Sequence, residues 1–281
     1  MSKSRAFKQV DVFTSVALKG NPVAVILDAQ GLSAEQMQAI ANWTNLSETT
    51  FVTPATAAAA DYAVRIFTPK SELPFAGHPT LGTAHAVIEA GMVTPKDGRI
   101  VQQCAVGLVE VSETSVGLSF RLPRYAQGVA PEPEKLAAAL GDGAIIGVPH
   151  IVDVGPRWTI CELASPETVE KLTPDLAILA GYERAYGTTG LTVYAAKPDG
   201  DLIVRSFAPA DGIAEDPVCG SGNGAVAAYR LALGQIGSGS AYVASQGRQL
   251  GRDGYVHIRV EGDTIHVGGS CNTVVDGRFL F

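Results

Sequence analysis

Short stretches of alternating apolar and polar residues recur along most of the chain, among them "YAVRIF" at 62–67, "GLVEVS" at 107–112, "GYVHIRV" at 254–260 and "TIHVGG" at 264–269. A period of two is the signature of a strand with one buried face, and these segments predict a largely β protein. Two segments break the pattern. "TLGTAHAVIEAG" and "NGAVAAYRLALGQIG" carry apolar or small residues on nearly every helical face, so each predicts a helix buried all round rather than on one stripe. A third kind of segment reads as an ordinary surface helix with a start signal. Ser33 followed by Gln36 makes a capping box, and Thr173 followed by Pro174 puts a proline at the first helical position.

These elements come in the same order twice. "VRIFTP" at 64–69 returns as "VRSFAP" at 204–209, a shift of 140, and "LSAE" from Leu32 meets "LTPD" from Leu172 at the same shift. Further on the shift becomes 143, so that "LPFAGHPTLGTA" from Leu73 lies over "DPVCGSGNGAVA" from Asp216. Three ordered matches imply an internal duplication. The predicted fold class is α+β, with two pseudo-symmetric domains, each a curled or barrel-like, mostly antiparallel sheet around a central buried helix. The expected domains are residues 1–130 and 131–281, with a seam somewhere in 126–150 and with the C-terminal strand a candidate to cross back into the first domain.

Composition narrows the function classes. The 281 residues are 46% hydrophobic and 17% charged, the balance of a globular protein, and no stretch reaches the roughly 18 apolar residues that a membrane span needs. The first residues lack the pattern of a secretory signal, and a cytoplasmic protein is expected. A formal charge of −7 disfavours a nucleic-acid surface. The cysteines Cys104, Cys161, Cys219 and Cys271 stand far apart, without a C-x-x-C pair, so neither a zinc knuckle nor a disulfide framework is indicated. His78 and His85 are seven apart but have no third partner at ligand spacing, and no metal site is expected.

The chemistry concentrates where strands hand over to the two buried helices. "FAGHPT" around Gly77 and "VCGSGNG" around Gly220 are glycine turns, and a helix start of this kind leaves backbone N–H groups unpaired. Free donors and the positive end of the helix dipole together attract an anion. If approximate two-fold symmetry relates the halves, both starts face one cleft, and a small carboxylate is the implied ligand. Neither turn fits G-x-x-x-x-G-K-[ST] or G-x-G-x-x-G, so a nucleotide cofactor is not indicated.

The segments "DVFTSVALKGNPVAVI", "NLSETTFV", "ELPFAGHPTLGTAHA", "EDPVCGSGNGA" and "QGRQLGRDG" together resemble the PhzF family of phenazine-biosynthesis isomerase-like proteins, over essentially the whole chain. The resemblance implies the diaminopimelate epimerase-like fold, a site between the two domains, a homodimer, and catalysis without a cofactor. It also implies roles. Glu48 matches the family's general acid/base, which moves a proton between two carbons of a cyclohexadiene amino acid. His78, Asp216 and Ser221 match polar residues around that substrate, with the turn glycines Gly77, Gly220 and Gly222 beside them, and Asn21 matches a substrate-side residue of the wider fold. A carboxylate that shuttles protons on carbon works best with its pKa raised towards neutrality, which an enclosed cleft does by desolvation.

Cys219 raises a different chemistry. Epimerases of this fold pair two thiols, one from each half, but the repeat sets Cys219 opposite Ala76, and many family members carry Thr at this position. Three readings therefore stand: an isomerase driven by Glu48, a one-thiol racemase or epimerase using Cys219, and a small-carboxylate binder without catalysis.

Overall fold

The computed structural model describes residues 4–122, 125–141 and 145–281. In chain order the first elements are β1 (Ser4–Val12), β2 (Asn21–Ile26), α1 (Ala34–Thr44), β3 (Glu48–Thr53), β4 (Tyr62–Phe67) and β5 (Glu72–Leu73). After them come α2 (Gly77–Glu89), β6 (Arg99–Cys104), β7 (Gly107–Thr114), β8 (Gly117–Arg121) and β9 (Ala126–Val129). The second copy continues with α3 (Pro133–Leu140), β10 (Ile145–Asp153), β11 (Arg157–Leu163), α4 (Pro166–Lys171), α5 (Leu176–Tyr186), β12 (Gly190–Ala196) and β13 (Leu202–Ala208). It closes with β14 (Ile213–Asp216), α6 (Gly220–Ala232), β15 (Ala241–Gln246), β16 (Gly254–Glu261), β17 (Thr264–Gly269) and β18 (Cys271–Leu280).

The chain divides into one compact unit of residues 1–121 and 268–281 and another of residues 122–267. The division falls earlier than the 130/131 boundary read from the sequence. The reason is β9, which pairs antiparallel with β10 from Ala126↔Asp153 to Val129↔His150 and so joins the second unit. In the first unit β18 runs antiparallel to β1 along its length, from Ser4↔Leu280 to Val12↔Cys271.

Within the first unit the sheet is mostly antiparallel. β1 pairs with β2, β3 with β4, β6 with β7 and β7 with β8, while β2–β3 and β4–β6 are parallel. Helix α2 lies inside it, touching β1, β2, β3, β6, β8 and β18. Its residues from Gly77 to Ala84 are all buried, as the all-round apolar pattern predicts. Gly82 lets it approach closely: a Cβ there would come within 2.4 Å of a Val23 methyl and 2.9 Å of a Val12 methyl.

The second unit repeats the scheme. β11–β12 is parallel in the same way as β2–β3, β12–β13 antiparallel in the same way as β3–β4, and α6 contacts β10, β11, β12 and β16. The expected α+β fold, a curled sheet around a central buried helix, describes each unit.

The surface helices start as their side chains dictate. Ser33 caps α1 with the full capping box to Gln36. Thr173 and Pro174, however, lie before α5, which begins at Leu176 with Asp175 as its cap. The Asp175 carboxylate accepts from both Ala177 N and Ile178 N. One side-chain oxygen that accepts from two orphan donors outcompetes a threonine hydroxyl two residues earlier.

Candidate active site

The residues singled out in the sequence fall into two groups, one in each unit. In the first unit, Glu48 opens β3, where it pairs with Val23 of β2, and His78 is the second residue of α2. The parallel β2–β3 register thus brings the Glu48 carboxylate beside the start of the buried helix. Glu48 Oε2 lies 3.4 Å from His78 Nε2, and the two side chains are only 15% and 6% exposed. The His78 ring also bonds to the backbone carbonyl of Pro22. A carbonyl only accepts, and Nε2 has no hydrogen-bond partner within bonding distance, so Nδ1 carries the proton of that bond. Nε2 therefore turns its lone pair towards Glu48. Burial holds the His78 imidazole far below its usual range, at about 3, so it is neutral at ordinary pH.

Asn21 begins β2 and is fully buried; Ser47, next to Glu48, donates to its Oδ1 at 3.4 Å. Gly77 begins α2 after Ala76, whose side chain offers no cap, and no acidic residue occupies the first turn.

In the second unit, Asp216 ends β14 and its Oδ1 accepts from Val218 N at 3.0 Å, a tight turn that delivers the chain to α6. Burial raises the Asp216 carboxyl to about 6, against opposing hydrogen bonds from Val218 N and the Cys219 side chain. Cys219 is the cap of α6: its Sγ accepts from Gly222 N at 3.2 Å, and it is 3% exposed. Ser221 Oγ stands 3.6 Å from that sulfur and accepts from Trp158 Nε1 at 3.0 Å. Gly220 is the first residue of the helix, and Gly222 the point of closest approach. A Cβ on Gly222 would fall 2.7 Å from Thr192 Oγ1 and 2.8 Å from Ser206 Oγ, two hydroxyls bonded to each other at 3.0 Å.

The repeat therefore sets His78 against Ser221 and Ala76 against Cys219, and each helix start is tied to the beginning of the matching strand. In the first unit the tie is His78 to Pro22 of β2; in the second it is Ser221 to Trp158 of β11. Sequence reasoning missed Trp158, together with Gln246, whose Oε1 accepts from Cys219 N and from Asn223 Nδ2. Comparing the strand β2 with β11 residue by residue would have flagged Trp158, because its counterpart is an aliphatic Val23.

Two curled-sheet units of this kind, each around a buried helix, are the fold shared with solved epimerase and racemase structures, among them a hydroxyproline epimerase from Agrobacterium vitis (TM-score 0.71, 14% identity, over 99% of this chain and 93% of that one). The phenazine biosynthesis-like protein family, PhzC-PhzF, matches residues 10–278. A Schizosaccharomyces pombe relative called "Antisense-enhancing sequence 1" is 38% identical over 289 residues, covering 97% of this chain and 98% of its own. Trans-2,3-dihydro-3-hydroxyanthranilate isomerase of Pseudomonas aeruginosa is 34% identical over 281 residues, covering 96% of this chain and 97% of its own. Among solved structures, the Bacillus anthracis phenazine biosynthesis protein of the PhzF family superposes with a TM-score of 0.86 at 24% identity, over 99% of this chain and all of that one. The chain belongs to the PhzC-PhzF family and is an isomerase. No helix among the described residues is long and apolar enough to cross a membrane.

Proposed function

We propose that this isomerase moves a proton between two carbons of a small ring carboxylate, without a cofactor, and that Glu48 is the group that carries it. The observation that bears most on this reading is the near-buried Glu48–His78 contact at 3.4 Å. A neutral imidazole whose free lone pair faces a carboxyl can take or return its proton without any charge having to be buried alone. Glu48 then gives a proton to one substrate carbon and takes one from another, and His78 holds the carboxyl in position during the exchange. Pro22 fixes the His78 tautomer through the other ring nitrogen.

The start of α6 supplies the complementary chemistry. Ser221 and the N–H group at Gly220 recognise a carboxylate, with Gly222 keeping the helix start close behind them, and Asp216, with its pKa raised towards 6, binds or protonates a polar group of the substrate. Asn21 completes the set as a buried polar contact. Cys219 is assigned to structure, because its sulfur already serves as the helix cap. A homodimer in the cytoplasm is the assembly and location that this reading carries with it.

The first substrate to test is trans-2,3-dihydro-3-hydroxyanthranilate, the compound named for the Pseudomonas relatives. Incubation in D₂O followed by mass spectrometry tests the reading. Carbon-bound deuterium must appear with the wild-type chain and disappear with Glu48→Gln, whose fold and ligand-dependent stabilisation persist. Ligand binding with no exchange in the wild type would instead make the protein a carboxylate binder.

A further inference from the structure

The indole of Trp158 is set into the second unit with unusual provision. It lies opposite Gly190 across the parallel β11–β12 pair, and a Cβ on Gly190 would fall 2.6 Å from the ring and 2.1 Å from the Phe207 carbonyl oxygen. The ring is 3% exposed, and its one polar atom meets Ser221 Oγ at 3.0 Å. The matching position in the first unit is Val23, which has no such donor. The hydrogen bond is therefore a feature of one half and not of the duplicated framework.

Its chemical consequence follows from the inventory of donors. An indole N–H can only donate, whereas a serine hydroxyl has one proton and two lone pairs. By filling a lone pair, Trp158 turns the hydroxyl so that its proton points elsewhere. The other neighbour within reach is Cys219 Sγ at 3.6 Å, a weak acceptor that is already receiving the Gly222 N–H. A proton so weakly engaged transfers readily to a better acceptor.

We propose that Trp158 is a positioning residue that fixes Ser221 as a hydrogen-bond donor and thereby sets the affinity of the α6 start for a carboxylate. This rests on the reading of Ser221 as a substrate contact given above. A primary amide in place of the carboxylate keeps one carbonyl acceptor for Ser221 but loses the charge and brings an NH2 donor that the oriented hydroxyl proton opposes, so it is discriminated against.

The test is a double-mutant cycle read by isothermal titration calorimetry, with anthranilate as the probe and anthranilamide as its neutral counterpart. Loss of one net hydrogen bond corresponds to roughly a three- to tenfold weakening. Trp158→Phe and Ser221→Ala should each weaken anthranilate binding by about that factor, and the double variant should be no weaker than either. Preference for anthranilate over anthranilamide should fall in parallel. Should Trp158→Phe fail to fold, the second arm replaces the indole by its isosteric benzothiophene analogue in a Trp43→Phe chain. Trp158 is then the sole tryptophan site, since the chain has only two, and the change removes the N–H with almost no change of shape.

Anthranilate binding that is undiminished without the N–H, or losses that multiply in the double variant, would overturn the role of Trp158 alone. A wild-type chain that does not bind anthranilate at all would overturn the carboxylate reading beneath it.

Discussion

The duplication supplies one interaction in two environments, and so an internal control. Arg65 of β4 binds Glu72 through Nε and Nη2, both at 2.7 Å, with its guanidinium 5.1 Å from the centre of the Phe67 ring. Its counterpart 140 residues on, Arg205 of β13, binds Glu215 at 2.9 and 2.8 Å and lies 5.0 Å from the centre of the Phe207 ring. The side chains are 37% and 40% exposed in the first pair but only 6% and 9% in the second. Arg205 also donates Nη1 to the carbonyls of Val169 and Leu172. Glu72→Gln removes a solvated pair and should cost no more than about 1 kcal/mol. Glu215→Gln strands a buried guanidinium with only carbonyl dipoles to face, and should cost about 3 kcal/mol. Urea unfolding followed by Trp158 emission in a Trp43→Phe chain reads the second unit, where Glu215 lies; circular dichroism reads the whole chain. Because Glu215 directly precedes Asp216, the costly variant should also lose activity. Equal losses from the two substitutions, or a Glu215→Gln effect below about 1 kcal/mol, would refute the reasoning.

Three further outcomes are expected. Gly222→Ala drives a methyl group into the Thr192–Ser206 hydroxyl pair and should cost about 1–3 kcal/mol, seen as a lower urea midpoint, with lowered ligand affinity at the α6 start. Cys219→Ser keeps an acceptor for the Gly222 N–H and should retain turnover within about threefold and stability within about 1 kcal/mol; a loss beyond a hundredfold would favour thiol chemistry. The Asp216 carboxyl is raised by burial from 3.8 to about 6, so its contribution to stability is fully present below about pH 3.8 and is lost as pH rises through about 6. Asp216→Asn cannot ionise. The wild-type chain should therefore lose stability relative to this variant between about pH 4 and about pH 7, and parallel curves in urea titrations across that range would contradict the assignment.

Much of the scaffold could be read from local pattern because local physics decides it. "YAVRIF" and "LIVRSF" became β4 and β13, the all-round apolar segments became the buried α2 and α6, and Ser33 with Gln36 capped α1. The start of α5 was misplaced by a competition between two caps two residues apart that sequence order does not rank. The boundary moved because β9 answers to β10, a pairing across more than twenty residues that no short pattern encodes. At the site, Glu48 and His78 were recognisable as types, but their approach is set by the β2–β3 register and by Pro22. Trp158 was legible only as a strand residue, since its partner lies 63 positions away. The repeat was the most useful signal: it directed attention from the conspicuous thiol to the residues at matched helix starts. The thiol then proved to be the cap of α6, accepting from Gly222 N.

The arrangement also explains why a helix start without a side-chain cap is tolerable at Gly77. The surrounding strands bury the turn, and Gly82 packs α2 tightly enough onto β1 and β2 for tertiary contacts to hold the helix in place.

The central claim is that Glu48 carries the proton, and deuterium transfer tests it most directly. In D₂O the wild-type chain should place deuterium on a carbon of the ring carboxylate proposed above, and Glu48→Gln should place none while unfolding at the same urea concentration and binding the ligand with similar affinity. Carbon-bound deuterium that persists in Glu48→Gln at the wild-type rate would contradict the account.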